Sequence, residues 1–403
     1  MTIKRDEAAA LDVSDPLAGY RDRFVIDDDA LVYLDGNSLG RLPKASRERV
    51  RQVLEDDWGR NLIKSWEERW LDLPVRIGDL IASSLLGADA GEVIVNDSTT
   101  VALYKSISAA LDARPGRRTV VIEEDNFPTD RYVVEALAQH RGLEVRWIPE
   151  AGPDGVTADA LADALSGDVA VTVLSHVDYR SAAIVDMAAL TQLAHQAGAL
   201  TVWDLCHSVG AVPIDLHADG VDIAVGCTYK YLNGGPGAPS FTFVRRDFQP
   251  TLHHPIWGWW SRREMFEMAA GYEPHVDMRA WLTGTPGVLS MAAVEPGVRM
   301  VAEAGVAAIR RKSRALTELA SVLYDDWLAP RGWAFASPRD TDRRGSHVTV
   351  AHPRAREVMA ALTARGVIPD FRRPDGIRLG MAPLTTRFTD VYDGLRLMAD
   401  STS

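Results

Sequence analysis

Cysteine is scarce in this sequence, which contains only Cys206 and Cys227 among its 403 residues. Two cysteines exclude a disulfide-rich scaffold and a four-cysteine zinc ribbon, and this low number is typical of proteins from a reducing compartment. The adjacent histidines His253 and His254 also make a poor metal site, because neighbouring side chains on a strand point to opposite faces. We therefore predict a surface loop at these histidines and no metal.

Long apolar runs are also missing, since the chain has no stretch of about 18 apolar residues of the kind that spans a membrane. The first residues, MTIKRDEAAALDVSDP, lack the apolar stretch of a signal peptide. Acidic side chains outnumber basic ones, and the net charge of −12 disfavours a general nucleic-acid surface. We therefore predict a cytoplasmic globular protein without nucleic-acid or membrane partners.

Hydrophobic residues make up 46% of the chain, enough for one large domain or two moderate ones. From about residue 90, short apolar runs alternate with helix-like stretches, which indicates a mostly parallel sheet with helices on both faces. Near Pro286 the pattern changes to long helices followed by two weaker strand candidates, which predicts a smaller α+β domain. The predicted strands are 92–97, 119–125, 170–177, 199–206, 222–230 and 240–246 in the large domain, and 347–352 and 376–381 in the small one.

Three segments follow from this pattern. Residues 1–50 form an N-terminal arm and helix that join the small domain, with the first ~30 residues expected to be extended because they are polar and acidic. Residues 51–290 form the large domain, and residues 291–403 form the small C-terminal domain.

Two charged residues end buried strands of the large domain, where parallel sheets bind their ligands. Lys230 ends DIAVGCTYK and precedes a glycine-rich turn. A lysine amine shielded from water is suited to form a Schiff base, although a lysine that extends to the surface has the same pattern. Asp204 ends the strand before it, where a carboxylate is costly unless it is paired. A protonated pyridine nitrogen is one suitable partner, and a capping or salt-bridged aspartate is the alternative.

Other polar and aromatic residues follow the strands at the same edge. Thr99 and Thr100 come at the start of a predicted helix, where free amide groups bind phosphate, although such residues often act only as caps. Phe127 and His207 are suited to stack on a planar ring, and Asp130 either bonds to that ring or caps the next helix. Together these residues predict a phosphorylated, ring-containing cofactor held between Asp204 and Lys230.

Two longer segments, WDLCHSVGAVP (203–213) and CTYKYLNGGPGAPSF (227–241), resemble the signature segments of kynureninases. Kynureninases are fold-type-I, class-V aminotransferase-like enzymes that depend on pyridoxal 5'-phosphate (PLP). The resemblance covers almost the whole chain in order and includes YLDGNSLG (33–40), NFPTDRY (126–132), GWW (258–260) and IRLGMAPL (377–384).

This resemblance implies a PLP-dependent transferase type I fold and hydrolysis of the Cβ–Cγ bond of L-kynurenine to anthranilate and L-alanine. The enzyme would thus be a hydrolase acting on a C–C bond of a ketone, and a homodimer with shared active sites. Its product would serve NAD biosynthesis, tryptophan catabolism through the kynurenine pathway, or a secondary metabolite; these uses stay open.

The resemblance also assigns roles to individual residues. Lys230, Tyr229 and Asp204 are the implied catalytic residues, with Lys230 as the Schiff-base lysine, Asp204 on the pyridine nitrogen and Tyr229 as a proton donor. The implied cofactor-binding residues are Thr99, Thr100, Phe127, Pro128, Thr129, Asp130, Ser175, Asp204, His207, Tyr229 and Lys230, together with Trp259 and Thr285, which would approach the site of the partner subunit. The implied substrate-binding residues are Arg378, which would hold the α-carboxylate, and Asn37, Ser38 and Trp66.

Two of these positions bear on substrate preference. Family members that prefer 3-hydroxykynurenine have His and Asn where this chain has Trp66 and Thr285. The resemblance therefore implies that kynurenine is the preferred substrate and 3-hydroxykynurenine a weaker one. Cys206 replaces an alanine that is common in the family, which we expect to be harmless packing.

Two alternatives remain. The first is another fold-type-I enzyme, such as a cysteine desulfurase or an aminotransferase. A desulfurase needs a mobile nucleophilic cysteine, and Cys206 and Cys227 both lie on or beside predicted core strands, which disfavours it. The second is a regulatory or carrier protein that binds PLP without turnover.

Overall fold

The computed structural model describes residues 3–402, and its N-terminal segment begins with a helix, α1 (Arg5–Ser14). Ala8 of this helix is fully buried, and the Asp12 carboxylate accepts a 2.6 Å hydrogen bond from the backbone N–H of Phe388, 376 positions later. The predicted extended arm is therefore wrong for α1, because its helical form is stabilised by contacts with the far end of the chain. The next elements are β1 (Val32–Tyr33), α2 (Lys44–Gln52) and α3 (Leu73–Ile81).

The large domain is built on a seven-stranded sheet. The strands are β2 (Val93–Asn96), β3 (Thr119–Glu123), β4 (Glu144–Ile148), β5 (Val169–Ser175), β6 (Leu200–Asp204), β7 (Ile223–Cys227) and β8 (Ser240–Val244). The helices between them are α4 (Thr99–Asp112), α5 (Pro128–Arg141), α6 (Ala158–Ala164) and α7 (Met187–Gln196).

The strand order is β2-β8-β7-β6-β5-β3-β4, and only β8 runs antiparallel to its neighbours. The predicted mostly parallel sheet is thus confirmed, and the carboxyl ends of β3, β5, β6 and β7 meet at one edge. The six predicted strands correspond to β2, β3 and β5–β8. The edge strand β4 was missed, because Glu144 and Arg146 interrupt the apolar run that marks a buried strand.

The C-terminal part forms a second, antiparallel sheet of order β12-β13-β10-β9. Its predicted strands 347–352 and 376–381 are present as β10 and β13. The elements are α8 (Val288–Ala304), α9 (Val306–Leu323), β9 (Ala334–Phe335), β10 (His347–Ala351), α10 (Ala355–Ala364), β11 (Val367–Ile368), β12 (Asp370–Arg372), β13 (Gly376–Gly380) and α11 (Phe388–Thr402).

A hydrophobic core separate from the clusters around the large sheet supports a two-domain division. The small-domain core contains Leu316 of α9 and also Ala8 and Leu34 from the N-terminal segment. Val298 of α8 and Ile309 at the start of α9 instead pack in the core of the large domain. We therefore propose that the large domain continues through α8, beyond the predicted boundary at 290, and that the N-terminal segment joins the small domain.

The surface loop predicted at the adjacent histidines is wrong for His254. This side chain is 5% exposed, and its Nε2 lies 2.9 Å from the carbonyl oxygen of Ala280. Within residues 3–402 we find no helix that combines the length and the apolar composition needed to cross a bilayer.

Candidate active site

A cavity of about 400 Å³ opens at the edge of the large sheet where the parallel strands end. It is bordered by the loop before α4, the start of α5 and the residues that follow β6 and β7. The predicted cofactor and catalytic residues that line it are Thr99, Thr100, Phe127, Thr129, Asp130, Asp204, His207, Tyr229 and Lys230.

Lys230 follows β7 and is 9% exposed. Its Nζ lies 2.9 Å from Nε2 of His207 and 5.9 Å from the ring centroids of both Phe127 and Tyr229. Burial, and then the positive charge of Lys230, lower the pKa of His207 well below its ordinary value. The imidazole is therefore neutral, and the short contact between its Nε2 and Nζ of Lys230 is a hydrogen bond. The amine is thus held in place inside the cavity.

Two carboxyl groups face this amine from the neighbouring elements. Asp204 ends β6, and its Oδ1 accepts a 2.6 Å hydrogen bond from the backbone N–H of Cys206. Asp130 is buried in the first turn of α5, and its Oδ2 has no hydrogen-bond partner among the described residues. Burial, and then the negative charge of Asp204, raise the pKa of Asp130 well above its ordinary value. The Asp130 carboxyl group is therefore easier to protonate than an exposed aspartate.

The first turn of α4 forms another part of the cavity wall. Ser98 is the N-cap of this 14-residue helix, and its hydroxyl accepts a hydrogen bond from the N–H of Val101 at 3.4 Å. Thr99 and Thr100 follow as the first helical residues and line the cavity. Free amide groups and the helix dipole make this turn suited to a phosphate group.

Two further predicted cofactor residues lie behind the cavity wall. Pro128 is the first residue of α5, a position that suits its fixed φ angle. The Ser175 hydroxyl donates to Oδ1 of Asn126 at 3.1 Å, and the Ser175 N–H donates to Oε1 of Glu123 at 3.0 Å. Burial raises the pKa of Glu123 to about 8. Asn126 and Glu123 support this wall and were not predicted, although Glu123 lies in the predicted strand 119–125 and Asn126 begins the segment NFPTDRY (126–132).

Arg378, the predicted ligand of the substrate carboxylate, lies on β13 and is 1% exposed. Its Nη1 donates to the carbonyl oxygen of Tyr179 at 2.6 Å, and its Nη2 donates to the hydroxyl of Ser38 at 2.6 Å. Nη2 also lies 2.8 Å from Oδ2 of Asp370, a residue that we did not predict. Asp370 pairs with Arg378 across β12 and β13, and the sequence gives no sign of this register. The guanidinium group is therefore already bound to internal partners.

The loop that contains Asn37 and Ser38 connects the two domains. The N–H of Gly36 donates to the carbonyl oxygen of Gly380 in the small domain at 3.3 Å. The N–H of Gly40 donates to the carbonyl oxygen of Tyr229 in the large domain at 2.8 Å. A Cβ atom at Gly380 would lie 1.7 Å from Oδ1 of Asn37, so only glycine fits there. The Asn37 side chain is buried, and both its amide atoms lack partners among the described residues. Unpaired buried amide atoms are suited to bind a polar ligand.

The remaining predicted residues lie away from this cavity, since none of them lines it in the described part of the chain. Trp66 packs edge-to-face on Trp259 and Trp260, with ring centroids 6.2 and 5.5 Å apart. Thr285 is exposed. The role of Trp259 and Thr285 at the site of a second subunit stays a prediction, as does the contact of Trp66 with the substrate.

The cavity thus offers an anion-binding helix terminus, aromatic walls, a carboxylate and a shielded amine within one space. The unpartnered oxygen of Asp130 and the carboxylate of Asp204 match the polar edge of a heteroaromatic ring, and Thr99 and Thr100 match a phosphate group. The residues present therefore fit PLP, whose phosphate, pyridine ring and aldehyde need these three kinds of partner.

Comparisons with known proteins agree with this chemistry. Residues 309–398 match the family model of the kynureninase C-terminal domain, a range that covers most of the predicted small domain. The kynureninase of Burkholderia pseudomallei strain K96243 is 44% identical, with 98% of this chain and 95% of the relative covered.

The fold is also found in solved structures of low sequence identity. A cysteine desulfurase from Thermococcus onnurineus superimposes with a TM-score of 0.80 at 17% identity, over 92% of this chain and 94% of that one. A lysine-to-alanine mutant of C-DES with glycine covalently linked to its PLP cofactor superimposes with a TM-score of 0.77 at 15% identity. The superposition covers 98% of this chain and 99% of that one. These similarities establish the fold alone. The near full-length identity to the Burkholderia enzyme establishes the family: the chain belongs to the kynureninases.

Proposed function

We propose that the chain hydrolyses L-kynurenine to anthranilate and L-alanine, with PLP bound at Lys230. The observation that carries this proposal is the shielded amine of Lys230 in the same cavity as the carboxylate of Asp204 and the anion-binding start of α4. When bound, PLP supplies an electron sink that stabilises negative charge on the substrate. The Asp204 carboxylate would hold the ring nitrogen of PLP and favour its protonated form, which would strengthen that sink.

The proposed roles of the other residues follow from their chemistry. Lys230 moves a proton at the substrate Cα, with His207 holding its amine. Burial raises the pKa of Tyr229 above its ordinary value, so its phenol stays protonated and is available as a donor to the carbon fragment. Arg378 binds the α-carboxylate through charge-assisted hydrogen bonds and thereby orients the bonds at Cα.

We also propose a cytoplasmic homodimer with shared active sites. Large apolar side chains are exposed in the segment that contains Trp259, including Trp257, Phe266, Met268 and Val276. Exposed apolar patches of this kind mark interaction surfaces. In this arrangement Trp259 and Thr285 complete the cofactor site of the partner subunit. The anthranilate would serve NAD biosynthesis, tryptophan catabolism through the kynurenine pathway or a secondary metabolite, and the choice among these uses stays open.

A direct turnover assay tests the activity. The purified protein with added PLP should release fluorescent anthranilate from L-kynurenine, and L-alanine in equal amount. L-Cysteine is the matched control substrate for the desulfurase alternative. Both cysteines are buried, with Cys206 at 5% and Cys227 at 1% exposure, so we expect no sulfide release. Sulfide from cysteine without anthranilate from kynurenine would refute the proposal, and PLP binding without either product would indicate a carrier protein.

Substrate preference is proposed to depend on Trp66 and Thr285. A bulky indole near the aryl ring leaves no room for a 3-hydroxyl group, so kcat/KM should be higher for kynurenine than for 3-hydroxykynurenine. The double variant Trp66→His/Thr285→Asn should shift the ratio of the two kcat/KM values by roughly tenfold toward the hydroxylated substrate. An unchanged ratio in a folded, PLP-binding double variant would show that these residues do not determine the preference.

A further inference from the structure

Lys105 is a buried lysine without a role in the reaction described above. It lies on α4 and is 0% exposed, and its Nζ is 2.5 Å from Oδ2 of Asp97 and 2.6 Å from the carbonyl oxygen of Trp281. Burial lowers the pKa of Lys105, while the charge of Asp97 opposes that change. A buried ammonium group is costly unless it is paired, so this position needs a specific reason.

Asp97 lies at the edge of the proposed cofactor cavity, directly before Ser98, Thr99 and Thr100. Its φ angle is +45°, in the left-handed region that few residues other than glycine adopt. Its second oxygen, Oδ1, accepts a 3.0 Å hydrogen bond from the hydroxyl of Thr283. Backbone strain of this kind persists only when the surroundings hold the residue in place, as Lys105 and Thr283 do here.

The charge of Asp97 is unfavourable at this place. A carboxylate in the wall of the cavity repels a phosphate group bound at the next residues along the chain. Lys105 lies behind this wall and cancels that charge without lining the cavity itself. An ion pair here therefore leaves the helix start free to attract the phosphate.

We propose that Lys105 is a positioning residue for the cofactor phosphate, which acts by neutralising Asp97 and fixing it beside the start of α4. This inference rests on the proposed binding of PLP in the cavity. Lys105 acts through Asp97 and is not a phosphate ligand.

The same network extends toward the segment that carries Thr285. Lys105 and the amide group of Asn96 both donate to the carbonyl oxygen of Trp281, and Thr283 donates to Asp97. The phosphate-binding loop and the chain that leads to Thr285 are therefore held by one set of buried hydrogen bonds.

The test compares two ligands that differ only in the phosphate. Full-length apoprotein is titrated with PLP and with pyridoxal, and the ratio of the two dissociation constants is measured by absorbance. Lys105→Met should weaken PLP binding roughly tenfold or more relative to pyridoxal, because an uncompensated carboxylate then faces the phosphate. Lys105→Met/Asp97→Asn should restore the ratio of the parent protein, since asparagine tolerates the left-handed conformation and carries no charge.

Controls separate this inference from a general loss of structure. Exposed Lys64 supplies the matched variant Lys64→Met, which should leave the ratio unchanged. An equal loss of PLP and pyridoxal binding in Lys105→Met would overturn the proposal, because it indicates a structural role only. Should that variant not fold, the double variant decides: a ratio like that of the parent supports the proposal, and a reduced preference for PLP overturns it. A parent protein that binds no PLP would refute the proposed function instead.

Discussion

The surroundings of Lys230 and those of Arg378 are built in different ways. Lys230 lies in an open cavity whose walls come from consecutive loops at one edge of the parallel sheet. Arg378 is buried, and its partners come from three separate segments: Ser38 in the N-terminal segment, Tyr179 in the large domain and Asp370 on the adjacent strand β12.

This difference separates a preformed site from one that has to exchange partners. The Lys230 cavity has free space and unpartnered polar atoms such as Oδ2 of Asp130, so a cofactor has room to enter and polar atoms to bind. At Arg378 the α-carboxylate has to share or replace the carboxylate of Asp370. We therefore expect changes at the first site to abolish the chemistry and changes at the second to alter substrate binding.

The largest effect is expected for Lys230→Ala. Loss of the amine removes both the covalent attachment of PLP and the proton carrier at Cα, so kcat should fall by at least about a thousandfold. Anthranilate fluorescence measures turnover, and visible absorbance reports the attached cofactor. Activity near that of the parent would contradict the assignment of this cavity.

Arg378→Ala should have the next largest effect, and it should separate the two sites. Loss of charge-assisted hydrogen bonds to the carboxylate should raise the KM for L-kynurenine by roughly a hundredfold. The dissociation constant of PLP should change little, because Arg378 does not line the cofactor cavity. A larger loss of PLP affinity than of substrate affinity would mean that the carboxylate site lies elsewhere.

Asp370→Asn should have a smaller effect in the opposite direction. The Asp370 carboxylate competes with the substrate for Arg378, and its side chain is 20% exposed, so water screens part of this competition. We expect KM to fall roughly threefold with kcat nearly unchanged. Glu357→Gln, at an exposed ion pair on α10, is the matched control. A rise in KM would indicate that Asp370 orients Arg378 instead of competing for it.

The smallest expected effect concerns the wall behind the cavity, where burial raises the pKa of Glu123 from 4.5 to about 8. Between these values the folded state binds a proton that the unfolded state does not. The resulting stabilisation is fully present below pH 4.5 and is lost as the pH rises through 8. Its slope is at most ~1.4 kcal/mol per pH unit.

Thermal unfolding of the apoprotein at several pH values checks this prediction. The Tm of the parent should fall more steeply between about pH 5 and 8 than the Tm of Glu123→Gln, because glutamine does not titrate. Exposed Glu124 provides the control Glu124→Gln, which should follow the parent. Parallel curves for all three proteins would show that Glu123 is ionised in the folded state.

Prediction from sequence was most successful for features that depend on short stretches of the chain. The buried strands β5, β6 and β7 have continuous apolar runs, and the residues at their ends reach one edge because parallel strands share a direction. Lys230, Asp204 and His207 were therefore identified together. The helical start of the chain and the edge strand β4 were missed, since distant contacts stabilise the first and charged residues interrupt the second.

The sequence alone determined which apolar segments form buried strands and which charged residues end them. It also determined the sheet edge where Asp204 and Lys230 meet, and the family that the signature segments identify. These features depend on short-range patterns and on the common direction of parallel strands. Only the tertiary structure decided that Asp370 binds Arg378, that Lys105 forms an ion pair with Asp97, and that His254 is buried. Such pairs join positions through strand register and domain packing, which no local pattern of residues specifies.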